Sequence, residues 1–341
     1  MKGISLLLDS SKSGGIETHV ANLAKALQQK GLEVQVILWK QYHDKAHPLD
    51  AQMRAANIPF HYANGCFSIL TSLVKKGAIL HTHGYKANLI GKFGSILGKW
   101  NAFPTHHNGD VGDGLLKKYV MLDEITSRWF SPISVSDEIF ERLGNRGIKV
   151  KNFVFTPDQT KIEEVHVGPI RQIAFVGRIS EEKDPDAFCQ IGEAIQKDEK
   201  HSHLSFHVYG GGEDQSQLMA KYPGITFHGE QDMSQHWPKI DLLCITSKTE
   251  GLPLAALEAM SHGIPVASFA VGDLPRLISH GHNGWIVPKG QIQTMKDTLV
   301  AWENLNPGLQ QNMKRHAYNT IEQDYSTAAV IPAIIQHYQN V

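Results

Sequence analysis

Short apolar runs alternate with amphipathic helical stretches along the whole chain. In the first half, runs at 4–8, 34–39, 78–80, 103–105 and 133–135 have the composition of strands buried on both faces. A helix is predicted over 16–30, where Val20, Leu23, Ala24 and Leu27 recur at the helical period and Gly31 follows as a terminator. A polar stretch at 156–169, T-P-D-Q-T-K-I-E-E-V-H-V-G-P, then interrupts the pattern as a linker would. Strand-like runs resume at 172–176, 205–209, 225–227, 242–246, 266–269 and 285–287. The pattern predicts an α/β protein of βαβ units and parallel sheets in two domains, 1–155 and 170–321. A last helical pattern spans 328–338, where Pro332 is expected to kink the helix or mark its true start.

One segment carries more chemistry than the rest. At 249–266 the chain reads T-E-G-L-P-L-A-A-L-E-A-M-S-H-G-I-P-V. A loop with Glu250 and Gly251 feeds a short helix; Pro253 suits its first turn, and Gly263 and Pro265 stop it. The first amides of a helix have no internal partner, so Leu254 and Ala255 offer N–H donors to an anion. Glu258 lies about one turn further in and leans back toward that end, within reach of a hydroxyl pair roughly 5–6 Å from the anion. A phosphate, neighbouring sugar hydroxyls and a second carboxylate at the loop mouth describe a nucleotide-sugar. The bland alternative is a buried helix with two incidental acids.

Other loops fit the same ligand. S-K-S-G-G-I-E follows the first strand, and Gly14 and Gly15 allow close backbone approach at a helix start. The run lacks the three glycines and distal acid of a dinucleotide fingerprint, which weighs against NAD. F-V-G-R-I-S-E-E-K-D sets Gly177 and Arg178 at a strand end, with Lys183 five residues on. Two cations there neutralise charge on a departing diphosphate, work that a metal ion does in other phosphate enzymes; otherwise Lys183 pairs with Glu182 or Asp184 on a solvated loop.

Composition narrows the classes. Lys and Arg number 33 against 34 Asp and Glu, a net charge of -1 that gives no general affinity for nucleic acid. Nineteen histidines are scattered without metal-ligand spacing, H-T-H at 81–83 and H-H at 106–107 being the nearest approaches, so no metal site is expected. The three cysteines, Cys66, Cys189 and Cys244, read as reduced core residues of a cytoplasmic protein. The first residues fit a strand better than a signal peptide, and no run approaches the length of a membrane span.

Four segments in order, S-G-G-I-E, F-V-G-R-I-S-E-E-K-D, E-G-L-P-L-A-A-L-E-A-M with G-I-P-V, and G-H-N-G-W-I-V-P, resemble the motifs of retaining glycosyltransferases of family 4 (glycosyl transferases group 1). The resemblance spans nearly the whole chain. It implies the GT-B architecture: two facing Rossmann-like domains with an interdomain cleft, the acceptor on the first domain and the donor on the second. A closing helix at about 322–341 would return to the first. It implies that Arg178 and Lys183 hold the donor diphosphate with no metal or other cofactor, that Gly15 faces it, and that Glu250 holds the donor sugar and Glu258 the ribose. Gly177, Gly251, Leu252, Leu254 and Ala255 complete the donor set. A functional histidine after the fourth strand is expected near the anomeric carbon, His107 by its His-Asn pairing and His106 as the rival. His81 and His83 are weaker acceptor-side candidates, more in keeping with structural roles.

Y-G-G-G-E-D at 209–214 resembles a glycine loop beside the base. Asp184-Pro185-Asp186 imitates the metal motif of the other major glycosyltransferase fold and is read as a surface turn. The implied activity is transfer of a hexose from a nucleotide-sugar, UDP first among the candidates, to a glycan or lipid-linked acceptor in surface polysaccharide or lipopolysaccharide synthesis. A sugar-nucleotide 2-epimerase and a non-catalytic nucleotide-sugar-binding protein are the alternatives. Mixed apolar and basic stretches at 95–103 and 115–125 raise peripheral contact with the inner face of a membrane, although core helix faces explain them as well.

Overall fold

The computed structural model describes residues 3–11, 14–107, 114–158 and 172–340. The chain divides into two units, Met1–Phe153 with Thr327–Val341, and Val154–Ser326. Beyond Asp158, most of the linker expected over 156–169 lies outside the described residues.

The first unit carries a seven-stranded, all-parallel sheet of β1 (Ile4–Leu8), β2 (Val34–Leu38), β3 (Phe60–Tyr62), β4 (Ile79–His83), β5 (Asn101–His106), β6 (Ile133–Ser134) and β7 (Ile148–Lys149). Their order is β3-β2-β1-β4-β5-β6-β7, with the reversal between β1 and β4 that marks a doubly wound sheet. The pattern of apolar runs missed β3 and β7. Each is a short edge strand of largely half-buried or exposed residues, with no need of an apolar run. Helices α1 (Gly15–Gln29), α2 (Pro48–Ala55), α3 (Phe67–Leu73), α4 (Tyr85–Ile96), α5 (Gly114–Ser127) and α6 (Asp137–Arg142) connect the strands. α4 lies close on the sheet because two glycines let it: a Cβ at Gly91 would stand 2.5 Å from Thr82, and one at Gly94 only 2.1 Å from the Trp100 ring.

The second unit has a six-stranded parallel sheet in the order β10-β9-β8-β11-β12-β13. Its strands are β8 (Gln172–Val176), β9 (Ser205–Tyr209), β10 (Thr226–Gly229), β11 (Leu242–Ile245), β12 (Val266–Phe269) and β13 (Gly284–Val287). Its helices are α7 (Pro185–Gln196), α8 (Gln215–Lys221), α9 (Leu254–Ser261), α10 (Leu274–Leu277), α11 (Ile292–Glu303) and α12 (Pro307–Asp324). Ile173, Phe175, Phe188, Phe206, Leu243, Leu257 and Trp302 belong to one buried core. Both sheets are Rossmann-like, each a parallel sheet in an α/β unit.

The last helix, α13 (Thr327–Gln339), contains Pro332, so of the two expectations for that proline the true start is excluded; the helix belongs to the first unit, where the Tyr338 hydroxyl meets His81 Nδ1 at 2.5 Å. Three other expectations need correction. Asp184-Pro185-Asp186 is no surface turn. Asp184 caps α7, accepting from the Ala187 amide at 3.4 Å, and Asp186 accepts from Lys221 and Tyr222. Cys66 is exposed, whereas Cys189 and Cys244 are buried, with thiols that burial pushes up to about 12. On α5, Leu116, Tyr119, Met121, Leu122 and Ile125 are exposed, so this stretch is not a core face. No helix among the described residues is long and apolar enough to cross a membrane.

Candidate functional site

In the second unit β8 and β11 are neighbours, but the strand order runs from β8 to β9 on one side and from β11 to β12 on the other. The loops leaving their carboxyl ends therefore part at the switch point, where open α/β sheets place ligands. The loop after β8 carries Gly177, Arg178 and Lys183; the loop after β11 carries Ser247, Glu250, Gly251 and Leu252. The two are tied together. Lys248 N donates to Glu182 O at 2.8 Å, and Thr246 Oγ1 to Asp184 O at 2.8 Å.

Lys183 Nζ donates to both carboxylate oxygens of Glu250 at 2.7 Å, and Ser247 Oγ donates to Oε1 at 2.6 Å. The Glu250 side chain is only 7% exposed. Lys183 thus pairs neither with Glu182 nor with Asp184, but with the acid that follows the neighbouring strand. Arg178 stands apart from this pair. Its side chain is 66% exposed, and Nη1 lies 3.7 Å from Glu182 Oε1. Of the two cations, Lys183 is thus bound to a nearly buried acid and Arg178 pairs only with an exposed one among the described residues.

Backbone packing fixes these loops. Gly210 has φ +140, and a Cβ there would stand 1.8 Å from Gly177 O; one at Gly212 would stand 2.0 Å from Ile179 O. Gly210 and Gly212 are thus required by the loop they brace. Gly272 does the same for the other loop, since its φ is +54 and a Cβ would meet Glu250 O at 2.3 Å and Gly251 O at 2.4 Å. Asp273 N donates to Gly251 O at 2.9 Å beside it.

Pro253 precedes α9 as its cap, one position earlier than a first-turn proline. The Ala256 amide already bonds Pro253 O at 3.1 Å, so Leu254 and Ala255 supply the helix's first two amides, as the anion reading requires. At the other end Gly263 has φ +71, and the Gly263 and Ile264 amides bond Met260 O and Ala259 O, a Schellman closure. Glu258 is set into this helix against Trp237. Burial pushes its carboxyl up to about 7; the Trp237 hydrogen bond opposes that rise and nearby Asp232 adds to it.

In the first unit the histidines are not scattered. His81 and His83 alternate onto one face of β4 and stack at 4.3 Å. His83 Nδ1 lies 3.0 Å from Nε2 of His107, which directly follows β5. His19, on the stripe of α1 that also carries Leu23 and Leu27, meets His107 edge-on at 4.7 Å and Phe153 at 4.9 Å. Burial lowers all four imidazoles, His19 to about 4 and the others well below the usual value, and their neighbours' rings add to the effect on His81, His83 and His107.

His106 points elsewhere. Its Nε2 meets Ser127 Oγ at 3.0 Å, and Nδ1 lies 3.5 Å from Asp123, whose carboxylate also binds Lys92 and Asn88. The two candidate histidines therefore occupy different surroundings: His106 lies in a buried polar network and His107 in the ring cluster. Gly15 opens α1, with nothing among the described residues within 4 Å of where a Cβ would stand, while Lys12 and Ser13 of its motif lie outside them.

Reasoning from sequence missed Ser247, Gly272 and Trp237 in the second unit and His19 in the first. Ser247 sits three residues before Glu250, a legible spacing. His19 was overlooked because the apolar stripe was counted without it.

Residues 170–303 match the family described as Glycosyl transferases group 1. An uncharacterized glycosyltransferase of Haemophilus influenzae is 25% identical over 169 residues, 47% of this chain and 47% of that protein. The O-antigen biosynthesis glycosyltransferase WbnH of Escherichia coli is 32% identical over 119 residues, 34% of this chain and 33% of the relative. The matched stretch spans less than half the length of the first such relatives. Among solved structures, Anabaena HepE in complex with UDP superimposes with a TM-score of 0.79 at 17% identity, covering 100% of both chains, which establishes the shared fold.

Proposed function

We propose that this chain, which carries a group 1 glycosyl transferase domain over residues 170–303, is a retaining glycosyltransferase that moves a hexose from a UDP-sugar to a glycan or lipid-linked acceptor. The observation that carries the reading is the junction of the two switch-point loops, where Lys183 and Ser247 hold Glu250 just before the free amides of α9. A carboxylate fixed there accepts hydroxyl hydrogen bonds from the donor sugar. The amides of Leu254 and Ala255 take the diphosphate, with Gly177, Gly251 and Leu252 lining the approach, and Glu258 takes the ribose.

As the glycosidic bond breaks, negative charge grows on the departing diphosphate. Arg178 and Lys183 stabilise it, and no metal or other cofactor enters the proposal. From the first unit we assign to the same reaction Gly15, whose open backbone admits a phosphate, and His107, which serves the donor sugar. UDP is supported by the complexes of HepE with UDP and with UDP-glucose, and surface polysaccharide synthesis by the O-antigen relative.

Acceptor delivery from a membrane is part of the proposal. Phe93, Ile96, Leu116, Leu122 and Ile125 stand exposed on α4 and α5 beside exposed Lys117 and Lys118, a mixture suited to an anionic lipid surface.

Incubation with UDP-, GDP- and ADP-sugars in a thermal-shift panel tests the donor, because a bound donor raises the melting temperature by mass action. NMR of the stabilising donor then separates the classes. Transfer releases nucleoside diphosphate only with acceptor and keeps the anomeric configuration; conversion of the donor alone identifies an epimerase. Binding without turnover, across an acceptor panel of glycans and lipid-linked sugars, leaves a binding protein. No stabilisation by any nucleotide-sugar overturns the proposal.

A further inference from the structure

The buried histidine cluster of the first unit has more nitrogen atoms than partners. His19, His83 and His107 each present one ring nitrogen such that all three lie within 4.8 Å of one another. His19 is 3% and His83 2% exposed, yet among the described residues His19 Nδ1 and His83 Nε2 have no hydrogen-bond partner. A buried polar atom left bare loses its hydration for nothing, so two of them on neighbouring rings, 5.6 Å apart between centroids, call for an occupant.

We propose that His19, His83 and His107 form a binding site for a divalent transition-metal ion, Zn²⁺ being the best fit. Among the described residues the donor set is three imidazoles held neutral by burial, with no carboxylate or thiolate, which suits zinc, copper or nickel and not magnesium or calcium. A tetrahedral zinc with bonds of about 2.0–2.1 Å sets its nitrogens about 3.4 Å apart. Small rotations of the rings draw the three together to that spacing. The fourth position stays open to water or an anion, as in three-histidine zinc sites generally.

The surroundings fit as well. The Asn152 side chain bonds His19, and since Nδ1 has no partner that bond is made by Nε2. Its carbonyl oxygen fixes the tautomer that leaves Nδ1 a bare lone pair, the outer contact that metal-bound histidines characteristically make. His81 backs the site, stacked on His83 and held by Tyr338 and Thr105, so the His83 ring is not free to turn away. The elements are supplied by the switch point of the first sheet: α1 after β1, then β4 and the end of β5. The site shares His107 with the proposed donor contact, but its test reads bound metal and not sugar transfer, so the two readings fail separately.

The full-length chain, stripped with a chelator and dialysed against Co²⁺, should retain one ion per chain with visible ligand-field bands of four-coordinate cobalt, and Zn²⁺ should displace it. His19→Gln and His83→Gln should each weaken Co²⁺ by at least ~100-fold, and Asn152→Ala by ~10–100-fold. His316→Gln, in the stacked His282–His316 pair of the second unit, should leave binding intact. Far-UV circular dichroism and the Asn152→Ala variant guard against misreading a misfolded mutant. A wild-type chain that keeps no ion after gel filtration, or cobalt bands unchanged in both His19→Gln and His83→Gln, overturns the site.

Discussion

At the residue scale, the two cations after β8 are held differently. Arg178 is exposed and braces little, so Arg178→Ala should lower kcat by ~10²–10³-fold and leave the melting temperature unchanged. Lys183 is the partner of a nearly buried carboxylate. Lys183→Ala should therefore lose both the rate and about 2–3 kcal/mol of stability, with Lys183→Arg recovering part of each; an Arg178 variant with wild-type turnover argues against the leaving-group role. Glu258 supplies the pH dependence. Its folded carboxyl is raised to about 7 from an ordinary 4.5, so between those values the folded state holds more protons than the unfolded one. Stability of the unliganded chain should fall as pH rises through that window and stay low above it, whereas Glu258→Gln should flatten the fall. Donor binding should run the other way and tighten from pH 6 to 8, because the ionised form is the better hydroxyl acceptor. Denaturant titrations and calorimetry at pH 5.5 and 8 measure the two slopes.

At the element scale, the strands whose apolar runs are buried on both faces were legible to within a residue or two, β1, β8, β9 and β12 among them. The edge strands β3 and β7 were not, because an edge needs no continuous apolar run. Helix ends followed their glycines: α1 stops before Gly31 and α9 before Gly263, both at positive φ. The candidate site was legible where chemistry and spacing coincide in one segment, as in Glu250 to Glu258. What no spacing carried was the meeting of segments 67 residues apart, Lys183 with Glu250, or the convergence of His19 with His83 and His107. The glycines bracing the loops give a direct check. Gly272→Ala forces a methyl against two backbone oxygens from a positive φ and should cost about 1–3 kcal/mol, with the thermal shift given by the donor much reduced. On α5, Leu122→Ser with Ile125→Ser should cut co-sedimentation with anionic vesicles several-fold without lowering the melting temperature, since both side chains are exposed. Unchanged sedimentation would remove the membrane from the proposal.

At the scale of the whole molecule, the second unit is an insertion in the first. The backbone enters it at Val154 and leaves it at Ser326, and those two residues bridge each other, with the Val154 amide on Tyr325 O at 3.0 Å. Such an arrangement makes the inserted unit independent of the last helix. Everything the inserted unit needs lies between Val154 and Ser326, while the outer unit needs α13 and the Tyr338 hydroxyl that His81 bonds. A chain truncated after Ser326 should already shield the 154–326 segment from protease, with the earlier residues still open to cleavage. The later-born portion of the polypeptide would then mature ahead of the portion made first, reversing the usual vectorial sequence.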